Sequence, residues 1–143
     1  MPRVKVALPD TFLLTVEIPL RITDLNYGAH LGNDALLGIL HEARVQFLRF
    51  LGQVELDPTT HIGHIMADVA IEYKGEGFYG DTLQVQMAAA DVTKYGFDVV
   101  YWVKNQEDRE IARAKTGMLC FDYGIRKLRP LDEAYARRLR GEG

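Results

Sequence analysis

The chain has a single cysteine, Cys120, so it can form no internal disulfide, and nothing in it resembles the cysteine framework of a small secreted domain. It also lacks long apolar runs. No stretch approaches the ~20 apolar residues of a membrane span, and Met1 to Asp10 has no signal-peptide core. Charge of one sign is missing too: 17 Lys and Arg against 20 Asp and Glu leave a net charge of -3, too little to steer the protein toward any partner. The basic group from Arg126 to Arg140 is interrupted by Asp132 and Glu133, which describes a solvated helix face better than a nucleic-acid surface. Repeats, low-complexity tracts and linkers are absent. These absences predict one domain over residues 1–143, cytoplasmic, with neither nucleic acid nor membrane as a partner.

The chain does have enough apolar residues, 48%, to bury a core without staples. Phe12 to Ile18, rich in Val, Ile, Leu and Thr, reads as a strand that ends at Pro19. Arg21 to Gly32 gathers Asp, Asn and Gly and reads as an ordered loop. From Asn33 to Leu51, apolar residues at Leu36, Leu40, Ala43, Phe47 and Leu51 keep helical spacing, with Asn33 as the expected N-cap and Gly52 as the stop. Gly38 inside that helix suggests close approach of another backbone or a ligand chain.

Beyond a loop at Gln53 to Gly63 the period becomes two: Val69, Ile71 and Tyr73, then Leu83, Val85 and Met87, then Phe97 to Val103 and Glu110 to Tyr123. Short breaks between these runs predict antiparallel neighbours, and a final helix is expected over Leu131 to Leu139. The pattern is therefore α+β, with one long helix covering one face of an antiparallel sheet. Cys120, between Leu119 and Phe121, reads as a core thiol. His61 and His64 in His-x-x-His lack a third ligand at metal spacing and read as solvated loop histidines.

The junction of the first strand and the helix carries Asp24-Leu25-Asn26-Tyr27-Gly28-Ala29-His30-Leu31-Gly32-Asn33, followed by His41-Glu42-Ala43-Arg44. This resembles the hot-dog acyl-CoA thioesterases, in the branch of 4-hydroxybenzoyl-CoA thioesterase. Those proteins carry Asp-x-x-x-His-Val-Asn-Asn running into a helix that bears an Ala-Arg pair. Here Asn26 stands where the family has its aspartate, with Asp24 two residues earlier. An amide can orient water or a carbonyl but cannot accept a proton.

The resemblance implies a hot-dog fold, a long antiparallel sheet wrapped around one central helix. It also implies hydrolysis of an acyl-CoA or acyl-carrier-protein thioester with no metal and no cofactor, coenzyme A being part of the substrate. Asn26, His30, Asp24 and Glu42 are the candidate catalytic residues, and Tyr27, Asn33, Lys94, Arg113 and Lys115 the candidate substrate-binding ones. A homodimer is implied, with pairing of dimers into a tetramer left open. The alternative function is an acyl-thioester binding protein that has lost its aspartate.

Each residue also has a plainer role open to it. Asp24 and Asn26 can serve as turn residues, and His30 can be structural. Glu42 can pair with Arg44, Gln46 or Arg49. Lys94 can sit at a hairpin tip, and Arg113 and Lys115 on a solvent-facing strand.

Overall fold

The apolar stripe of the long helix decides the architecture. In the computed structural model, which describes residues 3–142, α1 runs from Asn33 to Phe50 and buries Leu36, Ile39, Leu40, Ala43, Phe47 and Leu48. Five strands and a short sixth supply the other half of the core: β1 (Leu14–Pro19), β2 (Ile62–Tyr73), β3 (Thr82–Ala90), β4 (Gly96–Lys104), β5 (Glu110–Asp122) and β6 (Lys127–Leu128). Every pairing is antiparallel, in the order β1-β3-β4-β5-β2 with β6 on β5. Val85, Met87, Val99, Tyr101 and Val103 meet the helix with no exposed surface, and Ala112 and Ala114 let it lie close to β5. A second helix, α2 (Glu133–Leu139), closes the far end by burying Tyr135, Ala136 and Leu139. The chain thus has the hot-dog fold, one long helix wrapped by an antiparallel sheet.

Three expectations are corrected. Short connections do not make all sequential strands neighbours: β2 pairs with β5 rather than β3. Lys74 to Asp81 is long enough for this, since eight extended residues reach ~26 Å, whereas the three strand spacings they cross amount to ~14 Å. The crossover passes the start of α1, where Leu31 N–H donates to the Gly77 carbonyl at 2.7 Å and His30 bridges to Phe78.

The N-cap of α1 is Gly32, with Asn33 already helical, so no side chain caps the helix start. The third correction concerns His64, which lies buried in β2 and not in a solvated loop. Its Nε2 is 2.9 Å from the Tyr135 hydroxyl and its ring packs edge-on against Phe97. His61 is exposed at the turn before the strand, with φ of 63°.

No helix among the described residues is long and apolar enough to cross a membrane.

Candidate active site

The loop from Asp24 to Gly32 is held by its own backbone and short polar side chains and, at His30 and Leu31, by the crossover. Asn26 N–H donates to the His30 carbonyl at 2.9 Å, and Ala29, at φ of 65°, returns its N–H to the Asn26 carbonyl at 3.0 Å. Gly28 N–H donates to Asn26 Oδ1 at 2.8 Å, an Asx turn. Asp24 is buried, and its carboxylate accepts the Arg21 backbone N–H at 2.8 Å with the Arg21 guanidinium alongside at 3.3 Å. Asp24 therefore anchors the loop.

This loop sets Asn26 and His30 around one point: a Cβ added to Gly28 would stand 3.1 Å from His30 Nε2 and 3.2 Å from Asn26 Oδ1. Tyr27 points fully into solvent.

The helix begins immediately afterwards. Leu36 N–H is the first to find a helical acceptor, the Gly32 carbonyl at 3.2 Å, so the amides of Asn33, Asp34 and Ala35 precede the ladder. With glycine as the cap, no side chain competes for them, and the helix dipole favours negative charge there. A cavity of about 200 Å³ opens at this end, lined by His30, Gly32, Asn33, Tyr73 and Glu76 over an apolar floor of Leu36 and Ile111. Tyr73, the last residue of β2, donates its hydroxyl to the Asn33 carbonyl at 3.2 Å. Tyr73 and Glu76 were not among the residues expected from the sequence. They arrive from β2 and the crossover, and no local motif marks them.

The remaining expected residues lie elsewhere. Glu42 accepts a hydrogen bond from Gln46 at 2.8 Å and, with Asp24, opens on a separate groove of about 350 Å³ between β1 and α1. Gly38 lines that groove with nothing within 4 Å of an added Cβ, so the close approach expected there is not made within the chain.

Arg113 and Lys115 lie on the sheet face away from the helix, where both are already engaged. Arg113 is hydrogen-bonded to Glu110 and holds that carboxyl below its usual range. Lys115 reaches Asp68 at 2.9 Å and Asp98 at 3.7 Å. Lys94 stands over the Tyr95 ring at the β3–β4 turn, at the end of the sheet opposite the start of α1. One chain therefore brings Asn26, His30 and Asn33 together and leaves Lys94, Arg113 and Lys115 apart from them. Among the described residues no three His, Cys, Asp or Glu side chains converge as metal ligands.

The Ala43-Arg44 half of the motif serves packing. Arg44 is 7% exposed; its Nη1 donates to the Tyr101 hydroxyl at 3.3 Å, which in turn lies 2.7 Å from Thr116 Oγ1. Glu55 approaches from the loop after the helix, 3.8 Å from Arg44 Nη2 and 2.8 Å from His41 Nε2. This network fastens the second half of α1 to the sheet and leaves the first half to the cavity.

Solved structures of similar fold include thioesterases. A 1,4-dihydroxy-2-naphthoyl-CoA thioesterase from Synechocystis superposes with a TM-score of 0.80 at 19% identity, covering 88% of this chain and 94% of its own. A DHNA-CoA thioesterase from Staphylococcus aureus gives 0.80 at 19%, covering 90% and 95%. A thioesterase from Thermus thermophilus, complexed with coenzyme A and Zn, gives 0.75 at 19%, covering 93% and 96%. At these identities the likeness is one of fold. No curated protein sequence matches. The family model of the thioesterase-like superfamily matches residues 20–139, from the end of β1 through α2, and on that span the chain belongs to the thioesterase-like superfamily.

Proposed function

We propose that the protein hydrolyses an acyl-CoA or acyl-carrier-protein thioester to free acid and thiol. The observation that carries this is the uncapped start of α1: the amides of Asn33, Asp34 and Ala35 precede its hydrogen-bond ladder, and the cavity at that end is lined by His30, Gly32 and Asn33. A thioester carbonyl set against these amides gains stabilisation as negative charge develops on its oxygen; removing one such donor in other enzymes costs about 10²–10³ in rate. Water attacks the carbonyl carbon, the C–O bond forms, and collapse of the tetrahedral intermediate breaks the C–S bond and releases the thiol. Asn26 and His30 orient water and carbonyl, and Leu36 and Ile111 keep the floor of the site dry. Asp24 and Glu42, which open on the other groove, have no part in proton transfer in this scheme.

Of the three basic candidates, Lys94 is the one we assign to coenzyme A phosphates, because carboxylates already neutralise Arg113 and Lys115. It would act from a second subunit. The free edge of β2 and its exposed Met66, Val69 and Tyr73 favour antiparallel pairing with a second copy. Such a homodimer turns the Lys94 end of one subunit toward the helix start of the other. The single buried thiol and the use of coenzyme A thioesters fit a cytoplasmic setting.

The test is thiol release from a panel of short, long and aromatic acyl-CoA substrates. Turnover of any member supports hydrolysis. Binding by calorimetry with no thiol released across the panel would select the alternative, an acyl-thioester binding protein, which the amide at Asn26 favours.

A further inference from the structure

We propose that Glu76 is the general base of this site, doing from the β2–β3 crossover what an aspartate at position 26 does in the resembled thioesterases. The inference rests on the hydrolase reading above and names the group that reading leaves open. Asn26 cannot take a proton from water. Of the nine residues lining the cavity at the start of α1, Glu76 alone carries a carboxylate.

Its placement is enforced on both sides. A Cβ on Gly75 would lie 2.6 Å from the Glu110 carbonyl oxygen, and one on Gly77 would lie 3.0 Å from Leu20 Cδ1 and 3.3 Å from Leu31 Cβ. Both glycines therefore sit in close approach, one against β5 and one against the site loop. Backbone bonds fix the same two ends. Lys74 and Gly75 N–H both donate to the Ile111 carbonyl, at 2.9 and 3.1 Å, and the Gly77 carbonyl accepts Leu31 N–H at 2.7 Å. The one residue between these clamps is Glu76. Being solvent-exposed, it can pass protons to bulk water.

In the step this assigns, the Glu76 carboxylate takes a proton from water as the water oxygen bonds to the thioester carbonyl carbon. The carbonyl π pair moves onto the oxygen, which is set against the positive end of α1 at Asn33. Its return expels the thiolate, which takes the proton back from the Glu76 carboxylic acid. The products are acid and thiol, with Glu76 again ionised.

The experiment compares wild type with Glu76→Gln and Glu76→Ala on the best thioester of the panel, following kcat, KM and their pH profiles. Circular dichroism melts report folding. Glu76→Gln should lower kcat about 100-fold or more, leave KM within roughly threefold, and abolish the acid limb of the kcat/KM profile. Glu76→Ala should regain rate on addition of formate, a readout that a purely structural role would not move. The double variant Asn26→Asp, Glu76→Gln should recover part of the lost kcat, because a carboxylate is restored at the other position. An active Glu76→Gln protein with its acid limb intact, or a raised KM at unchanged kcat, overturns the assignment and leaves the hydrolase reading standing. A wild-type protein that turns over no thioester overturns both.

Discussion

The hydroxyl of Tyr73 is bonded to the carbonyl of Asn33 at 3.2 Å, tying the last residue of β2 to the first residue of α1. This is the only side-chain bond between those two elements at the cavity among the described residues, and it holds one wall of the site against the helix start. Tyr73→Phe should cost about 0.5–1 kcal/mol, the low end for a partly exposed hydrogen bond. It should also lower kcat several-fold through a loosened helix start. Thermal melts and steady-state kinetics check both, and unchanged values for each would show that the bond holds nothing in place.

Asn26 is best examined by two substitutions with opposite expectations. In Asn26→Asp a carboxylate oxygen still accepts the Gly28 N–H, so the turn survives and hydrolysis continues. In Asn26→Ala that bond is lost, at about 1 kcal/mol, and kcat should fall at least tenfold. Activity that exists only in the aspartate variant would mark the natural protein as a binder.

The two glycines around Glu76 should differ in tolerance. Gly75→Ala meets a backbone oxygen at 2.6 Å and should lose about 1–3 kcal/mol in urea unfolding. Gly77→Ala meets the end of a side chain, Leu20 Cδ1 at 3.0 Å, which can shift more readily than a backbone oxygen, and should lose less.

His64 makes stability depend on pH. Burial depresses its folded pKa below the ordinary 6.5, and burial likewise raises the Tyr135 phenol, so both stay neutral with the tyrosine O–H donating to Nε2. Phe97 and the Glu55 carbonyl also face the ring, and Arg44 lies near enough to oppose its charging. The unfolded chain therefore binds the proton more readily. The stabilisation is complete above pH 6.5 and is lost as pH falls from there through the folded pKa. Between pH 7.5 and 5.5 the Tm of wild type should fall more steeply than that of His64→Gln, as scanning calorimetry would reveal; parallel slopes would refute the linkage.

Gly38→Ala adds a methyl to open space in a helix interior. It should stabilise the chain by about 1 kcal/mol and raise Tm by a few degrees. If KM rises at the same time, the glycine is kept for a ligand or second subunit entering the groove beside Glu42.

Much of this was readable because it is local. The stripe from Leu36 to Phe47 and the stop at Gly52, with φ of 77°, placed α1 to within a residue of its observed end. Asn26 and His30 share one short loop and Asn33 opens the helix directly after it, so the motif that carries the resemblance is contiguous in sequence. The start of β2 was hidden by a bulge at Ala67: His64 and Met66 occupy one face before it, and Val69, Ile71 and Tyr73 continue that face after it. That switch breaks the alternation by which a strand is recognised. Glu76 stayed out of view for a different reason. It reaches the site through the crossing from β2 to β3, and nothing near it in sequence says which end of the helix that crossing passes.

The free edge of β2 has a further consequence. It is twelve residues long and carries Met66 and Val69 exposed in a stretch with strong β-propensity, the combination from which fibrils recruit new chains. The single charged side chain near its middle, Asp68, is drawn onto Lys115 of the adjacent strand and guards the edge poorly. A second subunit laid along β2 would therefore act as a shield in addition to completing a site. Variants that weaken such pairing should be lost first to precipitation at high concentration, before any defect in turnover is seen.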